Sequence, residues 1–179
     1  MLAGRGPAGA IVLFLLLAAL ILFGDEESET ARTGGGSASG IGARAGEVLR
    51  GQVMRVVDGD TIEVSLDGVE TDVRYIGVDT PESVKPGTPV ECFAKEAAGR
   101  NRELVEGERV RLEVGTEPTD RFGRLLAYVF VGDTLVNAEL VEGGYARTLE
   151  IPPNTERADR FERLQRKASA AGAGLWGAC

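Results

Sequence analysis

The 179-residue sequence contains no histidine, and that absence narrows the chemistry more than any single residue present. Histidine-based phosphodiesterases, histidine nucleophiles and His-ligated zinc sites are all excluded. Acid–base work near neutral pH must fall to carboxylates, lysine, tyrosine, arginine or metal-bound water. Lysine is nearly absent too: 3 of the 20 basic residues are lysine and 17 are arginine, so the cations favour bidentate contacts over diffuse attraction. The net charge of −8 argues against a surface that holds nucleic acid by bulk electrostatics, so any such binding must be local. Only two cysteines are present, Cys92 and Cys179.

What is present begins with one long uncharged run, residues 8–24, preceded by Arg5 and followed at once by Asp25-Glu26-Glu27. Its length is near the ~20 residues that cross a bilayer, and the positive flank predicts an N-in, C-out orientation. Residues 1–24 are therefore expected to be a signal anchor or a signal peptide; the acidic cluster takes the place of the small residues of a cleavage site, which favours the uncleaved anchor. Residues 25–46 are acidic and then rich in Gly, Ser and Ala, the composition of a flexible linker. A folded domain is expected over 47–179. The two cysteines would lie outside the membrane, where a Cys92–Cys179 disulfide pins the chain end; free thiols or a bond to a second chain are the alternatives.

Within the domain the patterning is strand-rich. Residues 51–57, 61–66, 69–78, 109–114 and 124–131 read as five strands, and 91–105, 136–142 and 154–171 as three helices. The 61–66 and 69–78 strands are joined at Asp67-Gly68, a strong hairpin signal. That hairpin brings Asp58-Gly59-Asp60-Thr61 close to Val78-Asp79-Thr80-Pro81-Glu82, with Arg74 on the second strand. Two neighbouring carboxylates repel unless a cation lies between them, and a hard cation such as Ca²⁺ prefers oxygen ligands. An arginine beside it offers a planar fork suited to phosphate. Each piece has a plainer reading as well: Asp-Gly-Asp-Thr turns a chain, Asp-Thr-Pro-Glu opens a loop, and Asp58 shapes the turn. A third piece, Thr119-Asp120-Arg121-Phe122-Gly123-Arg124, adds another arginine just before an apolar strand.

These three pieces in this order, continued by Glu91–Ala97, Leu126-Ala127-Tyr128-Val129, Leu135-Val136-Asn137 and Gly174-Leu175-Trp176, resemble the staphylococcal nuclease family over roughly residues 49 to 177. The resemblance implies an α+β, mainly β fold: an OB-type five-stranded barrel with three helices. It implies Ca²⁺ held by Asp60, Asp79 and the Thr80 carbonyl, a water oriented or deprotonated by Glu82, and phosphoryl oxygens gripped by Arg74 and Arg124. The implied activity is hydrolysis of DNA and RNA with little sequence preference, leaving 3′-phosphates, by a monomer outside the cytoplasm, anchored to the membrane or secreted. Phe122 stands where the family often has a tyrosine, and the 148–153 loop lacks tyrosines that pack around a base. The rival expectation is a non-catalytic OB-type nucleic-acid-binding module at the cell surface, which the intact set of six residues disfavours.

Overall fold

The computed structural model describes residues 42–83, 87 and 89–179, besides Met1. The apolar run at 8–24 and the linker up to residue 41 lie outside the described residues. Among those described, no helix is long and apolar enough to cross a membrane.

The barrel is built outward from the expected hairpin. β1 (Val48–Val56), β2 (Thr61–Leu66) and β3 (Val69–Tyr75) form an antiparallel meander. At the β2–β3 turn both Asp67 (φ 50°) and Gly68 (φ 86°) are left-handed, the geometry that matches the right-handed strand twist and fixes the Leu66–Val69 register. Ile62, Val64 and Leu66 alternate inward from β2, and Thr71, Val73 and Tyr75 from β3. β5 (Arg109–Thr119) pairs antiparallel with β1 and with β6 (Leu125–Val131), and β6 closes the barrel by pairing parallel with β3. Five strands thus form a closed sheet of mixed sense, in agreement with the expected barrel; a short β7 (Thr134–Leu135) extends it beside β6.

Several sequence-based boundaries are corrected, beginning with the first strand, expected over 51–57 and found at Val48–Val56. The strand expected to run from Val69 to Val78 ends at Tyr75. Gly77 (φ 79°) turns the chain there, and a Cβ at that position would sit 2.6 Å from the Phe161 ring. The chain resumes as β4 (Val78–Asp79), which pairs not with the barrel but with β8 (Arg147–Thr148). The strand expected to stop at Val114 continues to Thr119 through an irregularity after Val114, where Gly115 leaves room for the Asn154 carboxamide. The last helix, expected from Asn154, starts at Ala158. Asn154 instead is buried, accepting from the Glu117 N–H (2.9 Å) and donating to the Glu117 carbonyl (3.0 Å), and so fastens the 148–154 loop to β5.

The helices cover the barrel. α1 (Ala94–Val105) begins three residues later than expected, because Phe93 takes a left-handed conformation (φ 69°) just before it. It buries Ala94, Ala97, Asn101 and Val105, a stripe of helical period. α2 (Val136–Glu142) spans the predicted residues and stops at the Gly143–Gly144 pair. α3 (Ala158–Ala170) buries Phe161 and Ala168, with Leu164 packed at the core edge. A single terminal turn, α4 (Leu175–Ala178), was not anticipated; the Leu175 N–H holds it to the Gly144 carbonyl at 2.9 Å. Just beyond it Cys179 is disulfide-bonded to Cys92, 87 residues earlier, so the expected bridge is present.

Candidate active site

The site forms where the β1–β2 turn meets the end of β3. The Val57 and Asp58 N–H groups both donate to the Thr61 carbonyl (2.9 and 3.2 Å), which tightens the chain into a loop with Asp60 inside it. Asp58 shapes that loop: its Oδ1 accepts the Asp60 N–H at 3.0 Å. Gly59 is required by close approach, since a Cβ there would lie 2.5 Å from Thr80 Oγ1. Thr80 uses that space to donate to Asp60 Oδ2 from both its backbone N–H (2.8 Å) and its hydroxyl (3.0 Å).

The β2–β3 register puts Thr61 opposite Arg74, which sets the Arg74 guanidinium beside Asp60. Its Nη1 donates to the Tyr75 and Val78 carbonyls (3.0 and 2.8 Å). Its Nη2 lies 3.2 Å from Asp60 Oδ2 and 3.1 Å from Asp79 Oδ1. Asp60 and Asp79 are brought together as expected, but through the arginine between them. The two carboxylates differ in environment: the Asp60 side chain is 6% exposed and that of Asp79 55%. Burial pushes the Asp60 carboxyl up to about 6, against the pull of Arg74 and the Thr80 hydrogen bonds, and nearby Asp58 adds to the rise.

Arg124 reaches the same cleft from the start of β6. It is held by a residue that sequence reasoning did not single out. Asp120 Oδ2 accepts from Arg124 Nε (2.7 Å), and its Oδ1 accepts the Phe122 and Arg124 N–H groups (2.9 and 3.0 Å). An Asp followed by Gly three residues later is a turn signal, which was the available clue. Phe122 stands 68% exposed at the rim, with the Arg121 and Arg124 guanidiniums 4.7 and 5.4 Å from its ring centre. Also missed was Asn101 of α1. It accepts from the Tyr75 hydroxyl (2.9 Å) and donates to the Asp58 carbonyl (3.0 Å), tying the loop to a helix.

Asp60, Arg74, Asp79, Thr80, Glu82 and Arg124 all line one cleft of about 320 Å³, with Asp58 and Phe122. A second hollow of about 420 Å³ shares Arg74, Phe122 and Arg124 and is walled by Leu126, Leu149 and Ile151. The first cleft holds four carboxylates and two guanidiniums, and its donors are oxygens, which suit a hard cation over a soft one. Burial, more than Arg74 offsets, disfavours the ionised form of Asp60. Among the described residues no three carboxylates converge on one point. An ion there would complete its shell with carbonyl and water oxygens.

A closed five-stranded barrel carrying a carboxylate–arginine cleft places the chain among OB-type barrel domains. Comparison with known proteins makes that class specific. The model of the family described as staphylococcal nuclease homologue matches residues 72–178. A thermonuclease of Staphylococcus intermedius is 44% identical over 124 residues, 69% of this chain and 74% of that protein. The thermonuclease of Staphylococcus hyicus is 42% identical over 125 residues, 70% and 74% of the two chains. Endonuclease YncB of Bacillus subtilis is 39% identical over 124 residues, 68% of this chain and 59% of that one. The chain belongs to the staphylococcal nuclease family.

Proposed function

We propose that this protein is a Ca²⁺-dependent nuclease acting outside the cytoplasm, which hydrolyses phosphodiester bonds of DNA and RNA with little sequence preference. The observation that carries the reading is convergence: Asp60 and Asp79, Arg74 and Arg124, and Glu82 come from four separate stretches of chain to line one cleft. Relatives named thermonuclease and endonuclease support it.

Asp60 and Asp79 would hold the Ca²⁺, with the Thr80 carbonyl as a third ligand. When bound, the ion supplies positive charge beside a phosphoryl oxygen. Arg74 has its Nη1 edge committed to the Tyr75 and Val78 carbonyls, which fixes the guanidinium plane; its Nη2, shared here between Asp60 and Asp79, is the group that would meet a phosphoryl oxygen once a cation takes up those carboxylates. Arg124, oriented by Asp120, stabilises charge on the phosphoryl oxygens from the other side. Glu82 orients the attacking water and accepts its proton. The new P–O bond forms to that water oxygen, the P–O5′ bond breaks, the 5′-oxygen takes a proton from solvent, and Glu82 returns its proton to solvent, so the product carries a 3′-phosphate. Binding is local, in keeping with the net charge of −8: two fixed arginines do what a basic surface does elsewhere.

The disulfide supports a location in an oxidising compartment, and residues 1–24 would anchor or export the domain. The domain is proposed to act as a monomer. The second reading is a nucleic-acid-binding module; the exposed Phe122 face, flanked by two arginines, favours it as a stacking platform. Cleavage of labelled DNA by the full-length protein and by Glu82→Gln separates the two. A nuclease loses turnover in the variant while still binding DNA. A binding module shows no turnover in either protein.

A further inference from the structure

The backbone of Glu82 is tied to Glu91, a residue that the chemistry does not otherwise use. The Glu91 N–H donates to the Glu82 carbonyl (3.0 Å), and the Glu82 N–H donates back to Glu91 Oε2 (3.1 Å). Both backbone groups of Glu82 are therefore tied to Glu91, nine residues further on. With both groups bound, the backbone dihedrals of Glu82 are restricted, and with them the direction in which its side chain leaves the chain toward the cleft. The second of these bonds runs from an N–H to a carboxylate, the stronger, charge-assisted kind.

Glu91 is itself fastened on its C-terminal side. Cys92 is bonded to Cys179. Phe93 follows in a left-handed conformation with its ring stacked on Tyr145 (5.6 Å between centres), and the Ala94 N–H donates to the Glu91 carbonyl at 3.2 Å as α1 begins. The far end of the bridge is anchored by α4, through the Leu175 N–H on the Gly144 carbonyl. A continuous series of contacts thus runs from the end of the chain, through the disulfide, to the backbone of Glu82.

We propose that Glu91 is a positioning residue for Glu82, and that the Cys92–Cys179 disulfide keeps Glu91 in register for that task. The inference rests on the nuclease reading and deepens it: misplacing a group near the reacting atoms by even an ångström costs rate without costing affinity.

The test is steady-state cleavage of DNA by the full-length protein in Ca²⁺, with melting curves to show that each variant folds. Glu91→Ala lowers kcat about 10- to 100-fold, with KM and the Ca²⁺ midpoint unchanged. Glu91→Gln keeps an acceptor oxygen and recovers most of the loss, which a role in stability alone would not explain. Removing the bridge as Cys92→Ala/Cys179→Ala lowers kcat about 3- to 10-fold, and adds little on top of Glu91→Ala, because the bridge acts through Glu91. Unchanged kcat in Glu91→Ala, equal losses in Glu91→Ala and Glu91→Gln, or strictly additive effects overturn the proposal. Should Glu91→Ala not fold, the cysteine-free variant decides it: wild-type kcat there overturns it. An inactive wild-type protein would instead sink the nuclease reading itself, so the two failures are distinguishable.

Discussion

Replacing Asp60 by Asn should make the metal-free protein more stable at neutral pH while abolishing cleavage. Asp60 is buried with its carboxyl raised from an ordinary 3.8 to about 6. A raised carboxyl binds more protons in the folded state than in the unfolded one between those two values, so its contribution to stability falls as pH rises through that window. Above about pH 6 the ionised group costs the fold its full penalty, on the order of 3 kcal/mol. Asn mimics the protonated side chain and removes most of that penalty. It gives some back, because its amide nitrogen is a donor placed among the Thr80 N–H, the Thr80 hydroxyl and Arg74. A net gain of about 1–3 kcal/mol remains, or roughly 3–10 °C in Tm for a domain of this size. Melting curves in chelator at pH 4 and pH 8 give the assay. The difference between Asp60→Asn and wild type should swing toward the variant by about 2 kcal/mol between the two pH values, and Ca²⁺ at pH 8 should raise the Tm of wild type only. A difference that does not change with pH would refute the reasoning about Asp60.

Arg74→Lys and Arg124→Lys keep the charge and lose the planar fork; each should lower kcat by at least ~100-fold in a cleavage assay with purified, folded protein. Asp120→Ala releases Arg124 and two backbone N–H groups, so it should cost about 1–3 kcal/mol by denaturant titration and lower kcat, though less than removal of Arg124. Reducing the Cys92–Cys179 bridge should lower stability by up to ~4–5 kcal/mol, read as a shifted denaturation midpoint with and without reductant. Phe161→Ala, which empties a fully buried site against Gly77, should cost about 3–5 kcal/mol in the same titration.

The parts of the fold that local pattern could reveal were legible. β2 alternates cleanly between barrel interior and exterior, Asp67-Gly68 fixes the hairpin, and the α2 boundaries follow from its apolar residues and the glycine pair after it. What local pattern could not reveal depends on contacts distant in sequence. β4 and β8 are two residues each, too short for any periodicity, and exist only because Val78 and Asp79 find Thr148 and Arg147 across the fold. β5 runs on through Gly115 and Pro118, residues that read as breakers, because Asn154 takes over its backbone partners. The site was legible in its residue types and their order, since Asp60, Arg74, Asp79, Thr80, Glu82 and Arg124 line one cleft. The residues that orient it were not. Asn101 reads as a polar residue on an ordinary helix, and Asp120 and Glu91 read as turn and helix-start residues, until the structure gives each a partner.

The measurement that tests the account most directly is a time course of cleavage on end-labelled single-stranded DNA and RNA, in Ca²⁺ and in excess chelator, with the product ends identified by their response to a 3′-phosphatase. Cleavage of both substrates is expected in Ca²⁺ and none in chelator, with product ends that the phosphatase converts. Cleavage that persists unchanged in chelator, or no cleavage by folded protein saturated with Ca²⁺, would contradict it.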